Sequence, residues 1–153
     1  MNRTTRFLST FALALPAIWM SAGHPAPARA AEPEQPMALR GVMQQLGRDM
    51  QAVTGAISKE DWAVVADLAP RIARHEQPPA REKLRILGWL GSDAGKFRSL
   101  DGEVEQAATA LGEAAGRADG PGVIAAFAKT QQSCLACHQE FRGSFIQHFY
   151  EQR

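Results

Sequence analysis

The sequence is poor in cysteine and tyrosine, and it has no large excess of charge of either sign. Its 153 residues include 2 cysteines and 1 tyrosine, and the formal net charge is +1. Two cysteines allow at most one disulfide, so a disulfide-rich scaffold is excluded. No segment alternates apolar and polar residues with a period of two, so β-strands are not expected.

The first thirty residues differ in kind from the rest. Arg3 and Arg6 precede an uncharged apolar run over residues 7–22, and a short motif of small residues around an arginine closes the segment at Ala30. This order is typical of a secretory signal peptide. A membrane anchor is less well supported, because the run is shorter than the roughly 20 residues that a bilayer requires. We therefore expect cleavage after Ala30 and export to the periplasm, with no membrane span afterwards.

The remaining residues, 31–153, are the right length for one modest globular domain. Removal of the signal peptide takes away three arginines and no acid, which leaves 14 basic and 16 acidic side chains. Nucleic acid is not an expected partner of a mildly acidic domain, because its phosphates attract clustered lysine and arginine.

Apolar residues recur at helical steps of three and four in four segments. The predicted helices cover about 37–57, a segment from a capping signal at Ser58 and Asp61 to about His75 with Pro70 bending it, about 96–118, and the chain from 123 onward. A connector over 76–96, rich in proline and glycine, is expected to hold only a short helical piece. Four amphipathic helices joined by loops predict an all-α fold, an antiparallel four-helix bundle.

Both cysteines lie in the sequence Cys134-Leu135-Ala136-Cys137-His138. This is the Cys-x-x-Cys-His signature of c-type haem attachment. On a helix, positions i, i+3 and i+4 share one face, so two thiols can reach the vinyl groups while the imidazole reaches the iron. The motif predicts one covalently attached haem c, with His138 as an axial iron ligand.

Three other readings of the motif are less well supported. A thioredoxin-like dithiol follows a strand, and no strand pattern precedes Cys134. A zinc site needs four ligands, and after removal of the signal peptide only His75 and His148 are left to supply further imidazole. A disulfide between positions i and i+3 of one helix has awkward geometry.

A Cys-x-x-Cys-His motif on the last of four helices resembles the cytochrome c prime family, the class II c-type cytochromes. The likeness is strongest in the haem-binding turn from Cys134 to Arg142 and in the first helix over Leu39–Met50 with its Leu-Gly step. It is weakest over residues 76–96, whose contribution to the haem pocket is open.

The resemblance places Met43 on the side of the haem opposite His138. Low-spin members of the class use a methionine of this helix as the sixth iron ligand, so Met43 is the predicted second axial ligand. High-spin members leave that side open, and an unligated Met43 is the alternative. Met50, Met37 and His75 are further candidates for the ligand, and a methionine on an apolar stripe is also an ordinary core residue.

Arg142 and Phe141 complete the predicted haem-binding residues. Arg142 follows His138 by four positions and is expected to pair with a propionate or lie over the imidazole, with a solvated surface arginine as the alternative. Phe141 is expected to pack on the haem. Five basic residues between positions 71 and 85 are a candidate docking surface for an acidic redox partner, with a solvated helix end as the alternative.

The leading functional expectation is a periplasmic electron carrier with His138 and Met43 as axial ligands. The alternative is a five-coordinate protein that binds nitric oxide or carbon monoxide, and a subunit of a larger redox complex is a third. An enzyme active site is not expected, because no nucleophile and base can be paired in the sequence. The resemblance also implies that a homodimer through the first two helices is open to this chain.

Overall fold

A computed structural model describes residues 37–151, and the predicted signal peptide lies outside them. Six α-helices follow in chain order: α1 (Ala38–Ile57), α2 (Trp62–Ala73), α3 (Ala80–Leu90), α4 (Ala94–Gly116), α5 (Gly120–Cys137) and α6 (Gly143–Ile146). A 3₁₀ turn at Gly91–Asp93 and two π-helical turns, His138–Arg142 and Gln147–Glu151, complete the described elements. Across 37–151, no helix has the length and apolar character needed to cross a bilayer.

The bundle is built from the four longest helices. Helix α1 packs against α2, α2 against α4, and α4 against α5. Their inward faces form the main core, whose fully buried side chains are Val53, Val65, Ala69, Ile72, Ala108, Leu111 and Val123. The predicted all-α four-helix bundle is confirmed, since the helical apolar stripes are the faces that become buried.

Aspartates at the two tight connections start α2 and α5. Asp61 Oδ1 accepts a hydrogen bond from the backbone N–H of Val64 at 3.2 Å, and Asp119 Oδ1 accepts one from Gly122 at 3.0 Å. Ser58 does not start a helix: it follows α1, and its hydroxyl donates to the Thr54 carbonyl at 3.0 Å. The expected capping signal therefore reduces to Asp61, because an aspartate accepts from the exposed N–H groups of a first turn.

The connector is more ordered than the sequence predicts. It holds the eleven-residue helix α3, which begins after Pro79 and ends at Gly91 with φ +52°. Pro79 supplies a start that costs no hydrogen bond, and glycine adopts the left-handed conformation that ends the helix. The buried side of α3 joins Met37 and Phe141 in a second, smaller core through Ile86 and Leu90.

The last predicted helix is interrupted within the Cys-x-x-Cys-His motif, between Cys137 and His138. Helix α5 ends at Cys137, and the next turn, from His138 to Arg142, is π-helical. A π-helical turn adds a residue to the helical repeat and rotates the side chains that follow, and such turns are frequent at functional sites. The aromatic residues of the C-terminal segment consequently face α3 and α1 as well as α4.

Candidate functional site

The cysteine motif opens onto a large cavity. Cys134 and Cys137 lie in the last turn of α5, and His138 is the first residue of the π-helical turn. All three line one cavity of about 530 Å³, and both cysteines are free thiols. The spacing of the motif therefore gives the shared face that was expected, at a place where the bundle leaves open volume.

The walls of the cavity come from both ends of the chain and from α4. Helix α1 contributes one wall, α4 contributes Phe97, Asp101 and Val104, and the C-terminal segment closes the site from His138 to Tyr150. The lining residues on α1 are Leu39, Arg40, Met43, Gln44 and Leu46. Most of the lining is apolar, so a bound group would be held largely by burial of apolar surface.

Of the four candidates for a second ligand, the structure brings Met43 and His75 to the cavity. Met43 lies on α1 with 39% of its surface exposed. Met37 is buried in the second core, and Met50 packs against the main core, so neither lines the cavity. Met43 and Met50 both lie on the apolar stripe of α1, and only the packing of the helix separates their environments.

His75 is held by two oxygen atoms from different elements. Its Nδ1 lies 3.2 Å from the Ile72 carbonyl oxygen, and its Nε2 lies 3.4 Å from Asp101 Oδ1 on α4. The His75 side chain is 11% exposed, and that of Asp101 is 41% exposed. His75 has a structural role that Met43 lacks, because these two contacts join the end of α2 to α4.

Burial favours the neutral forms of all three side chains of the motif, Cys134, Cys137 and His138. It raises the pKa of the Cys134 thiol. For Cys137, burial, then the negative charge of Asp101, then Cys134 raise the pKa to about 11. The pKa of His138 is lowered by partial burial and then by the Arg142 guanidinium. The free thiols stay protonated near neutral pH, and the imidazole stays neutral with a nitrogen lone pair for a metal.

The other two predicted haem-binding residues also lie at the cavity. Phe141 is buried, and its ring packs edge-on against Phe97 with 5.4 Å between the centroids. Arg142 lines the wall with its side chain exposed, and it forms no ion pair within the part of the chain that is described. An ion pair between Lys96 and Glu140, 2.6 Å long, ties the π-helical turn to α4.

Several lining residues were not found from the sequence. Arg40 and Asp101 are charged residues that interrupt apolar stripes, a weak signal for a polar group on a buried wall. Tyr150 was not identified because it lies beyond the helical period of α5. Residues 76–96, whose contribution to the pocket could not be predicted, supply none of the residues that line this cavity. Helix α3 supports the site from behind, where Trp89 packs edge-on against Phe145 with 5.6 Å between the ring centroids.

The residues present fit a haem. The cavity volume lies within the range of about 300–1,000 Å³ that is typical of cofactor pockets. Two thiols and a neutral imidazole line the cavity, and Met43 of α1 adds a thioether, a soft donor suited to haem iron. Among residues 37–151, no cluster of three or more His, Cys, Asp or Glu side chains could hold a metal ion on its own.

Comparison with known proteins agrees with the motif. Residues 89–142, which include α4, α5 and the π-helical turn, match the family model described as Cytochrome C'. Neither a curated protein nor a solved structure matches the chain. The matched segment carries the whole Cys-x-x-Cys-His motif together with Phe97, Asp101 and Arg142 of the cavity wall. The match supports a class II c-type cytochrome family for this chain, and haem c is the cofactor of that family.

Proposed function

We propose that this protein is an exported monohaem electron carrier, with haem c bound through Cys134 and Cys137 and with His138 and Met43 as the two axial ligands. The observation that supports it is that Met43 of α1 lines the same cavity as Cys134, Cys137 and His138, with part of its side chain exposed there. Bound haem would supply a one-electron ferric/ferrous couple.

Each residue then has a defined part. His138 provides a neutral imidazole nitrogen, since burial and Arg142 lower its pKa. Met43 provides a soft sulfur that favours the ferrous form and so raises the reduction potential. Phe141 and Phe97 keep water from one side of the site. Two ligands retained in both oxidation states keep the structural change on electron transfer small.

Gas binding is the second candidate function, and the apolar wall of α1 favours it. Leu39 and Leu46 flank Met43 in the cavity lining, and they offer no hydrogen-bond donor. If Met43 does not ligate the iron, this wall leaves space for a small diatomic molecule such as nitric oxide or carbon monoxide. Selectivity would then rest on size, because Arg40 and Gln44 of the same wall are polar.

Absorption spectra of the purified holoprotein, ferric and ferrous, with and without carbon monoxide, separate the two functions. We expect a six-coordinate low-spin spectrum that carbon monoxide does not change. A high-spin spectrum with ready binding of carbon monoxide would instead support the gas-binding function and rule out ligation by Met43.

A matched pair of substitutions assigns the ligand. Met43→Leu should convert the ferric protein to a high-spin form and lower the reduction potential, because leucine keeps the volume and removes the sulfur. Met50→Leu makes the same change about two helical turns further along α1, outside the cavity lining, and should leave the spectrum unaltered. An unchanged spectrum in Met43→Leu would exclude this methionine as the ligand.

Export and docking are further parts of the proposal. Mass spectrometry of the purified protein should find a chain that begins at residue 31, as the signal peptide predicts.

Arg74, Arg81 and Lys83 are exposed and offer a basic surface for an acidic redox partner. Electron transfer to such a partner should slow as ionic strength rises, because salt screens the attraction between the two surfaces. Val64, which is exposed on α2, is a candidate contact in a homodimer.

A further inference from the structure

Tyr150 is the one tyrosine of the chain, and its hydroxyl group is buried without a partner. Two buried side-chain polar atoms within residues 37–151 lack a hydrogen bond, Tyr150 Oη and Ser133 Oγ. Tyr150 lines the cavity and Ser133 does not. A buried hydroxyl that has lost water and gained no acceptor is costly, so such a group calls for an explanation.

The Tyr150 ring is held in place from two sides. Its centroid lies 6.2 Å from that of Phe145, in the same C-terminal segment. On the other side, the Arg40 guanidinium carbon of α1 lies 5.9 Å from the ring centroid. These contacts join the two ends of the described chain across the cavity. The Tyr150 ring therefore contacts both α1 and the C-terminal segment.

The neighbours of Tyr150 indicate which kind of acceptor is missing. Arg40 and Arg142 line the same cavity, and neither forms an ion pair among residues 37–151. Guanidinium groups are donors only, so they cannot accept the tyrosine proton. The Asp101 carboxylate on the same cavity already faces His75. Donors and positive charge gathered at one cavity fit a carboxylate on the bound group.

We propose that Tyr150 Oη donates a hydrogen bond to a propionate carboxylate of the haem, beside the positive charge of Arg40. This inference rests on the proposed function, because it requires haem in the cavity. It adds a cofactor-binding residue that lies outside the matched family segment, which ends at residue 142. The hydrogen bond partly neutralises the propionate charge, and this stabilises the ferrous form, which carries one positive charge fewer than the ferric form.

The test is Tyr150→Phe in the holoprotein, which removes one oxygen atom and keeps the ring. Haem content and covalent attachment are first measured in the wild type and the variant by pyridine haemochrome spectra and by mass. We then expect the equilibrium constant for reduction to fall about three- to tenfold, a decrease of about 30–60 mV for a one-electron couple. The propionate bending band in the resonance Raman spectrum should also shift.

Two further variants complete the test. Ser144→Ala removes an exposed hydroxyl of the same segment, whose Oγ donates to the Phe141 carbonyl, and it should leave the potential unchanged. Arg40→Gln keeps hydrogen-bonding capacity but removes the charge, and it should also lower the potential.

The outcomes separate this inference from the function on which it rests. Haem bound in Tyr150→Phe with an unaltered potential and an unaltered propionate band overturns the hydrogen bond and leaves the proposed function intact. A wild-type protein without covalently attached haem overturns both. If Ser144→Ala lowers the potential as much as Tyr150→Phe, the effect comes from the segment as a whole and the assignment of Tyr150 is wrong.

Discussion

The reactivity of Cys137 before haem attachment gives a sharp test of the cavity. Burial and the nearby Asp101 charge raise the pKa of this thiol to about 11, against an ordinary value of 9.0. At pH 9 an ordinary thiol is about half thiolate, whereas a thiol with a pKa of 11 is about 1% thiolate. Because the thiolate is the nucleophile, alkylation of Cys137 in the folded chain should be about 50-fold slower than in the unfolded chain at this pH.

The measurement uses residues 31–153 produced in a reducing cytoplasm, where haem is not attached, with Cys134→Ser so that Cys137 is the one thiol. This substitution removes the smallest of the three contributions to the Cys137 pKa and keeps those of burial and Asp101. Alkylation by iodoacetamide is followed from pH 7 to 12, with the folded chain compared to the same chain in urea. The midpoint of the pH profile reports the pKa separately from access to the thiol. A midpoint near pH 9 in the folded chain would refute the reasoning.

A pair of substitutions identifies the source of the shift. Asp101→Asn removes the charge that raises the Cys137 pKa after burial, and it should move the midpoint to lower pH. Asp93→Asn removes an exposed charge outside the cavity and should have no effect. The folded chain also holds the thiol proton more tightly than the unfolded chain does. The free energy of unfolding of the haem-free protein should therefore decrease as the pH rises from about 9 through about 11.

Two predictions concern the bundle that carries the site, and chemical denaturation of the holoprotein tests both. A Cβ atom at Gly112 of α4 would lie 3.3 Å from Ala69 Cβ, whereas at Gly102 it would meet no atom within 4 Å. Gly102→Ala should therefore raise the free energy of unfolding by about 1 kcal/mol through helix propensity. Gly112→Ala should raise it clearly less, because α2 must move to make room for the added methyl group. Equal increases in the two variants would argue against this close approach. Asp119→Ala should lower the free energy of unfolding by about 1 kcal/mol because the Gly122 N–H loses its acceptor, and a fully retained stability would show that the cap is unimportant.

The helices of the bundle were largely predictable, because each carries its own apolar period. Helix α1 was expected over about 37–57 and is found at Ala38–Ile57, and α4 was expected over about 96–118 and is found at Ala94–Gly116. Helix α3 was underestimated: glycines at positions 88, 91 and 95 lower helix propensity, while burial of Ile86 and Leu90 against Phe141 stabilises the helix. Propensity is local, and this packing is not.

The candidate site shows the same division. The Cys-x-x-Cys-His spacing lies within one helical turn, so the sequence by itself determined which residues could attach and ligate a haem. The different surroundings of Met43 and Met50 come from the rotation of α1 in the bundle, which no local pattern encodes. Likewise, Tyr150 reaches the cavity through two π-helical turns and the contact with Arg40, over a hundred positions earlier in the chain. The chemistry of the motif is a property of five consecutive residues, whereas the cavity wall that α1 contributes exists only once distant segments pack together.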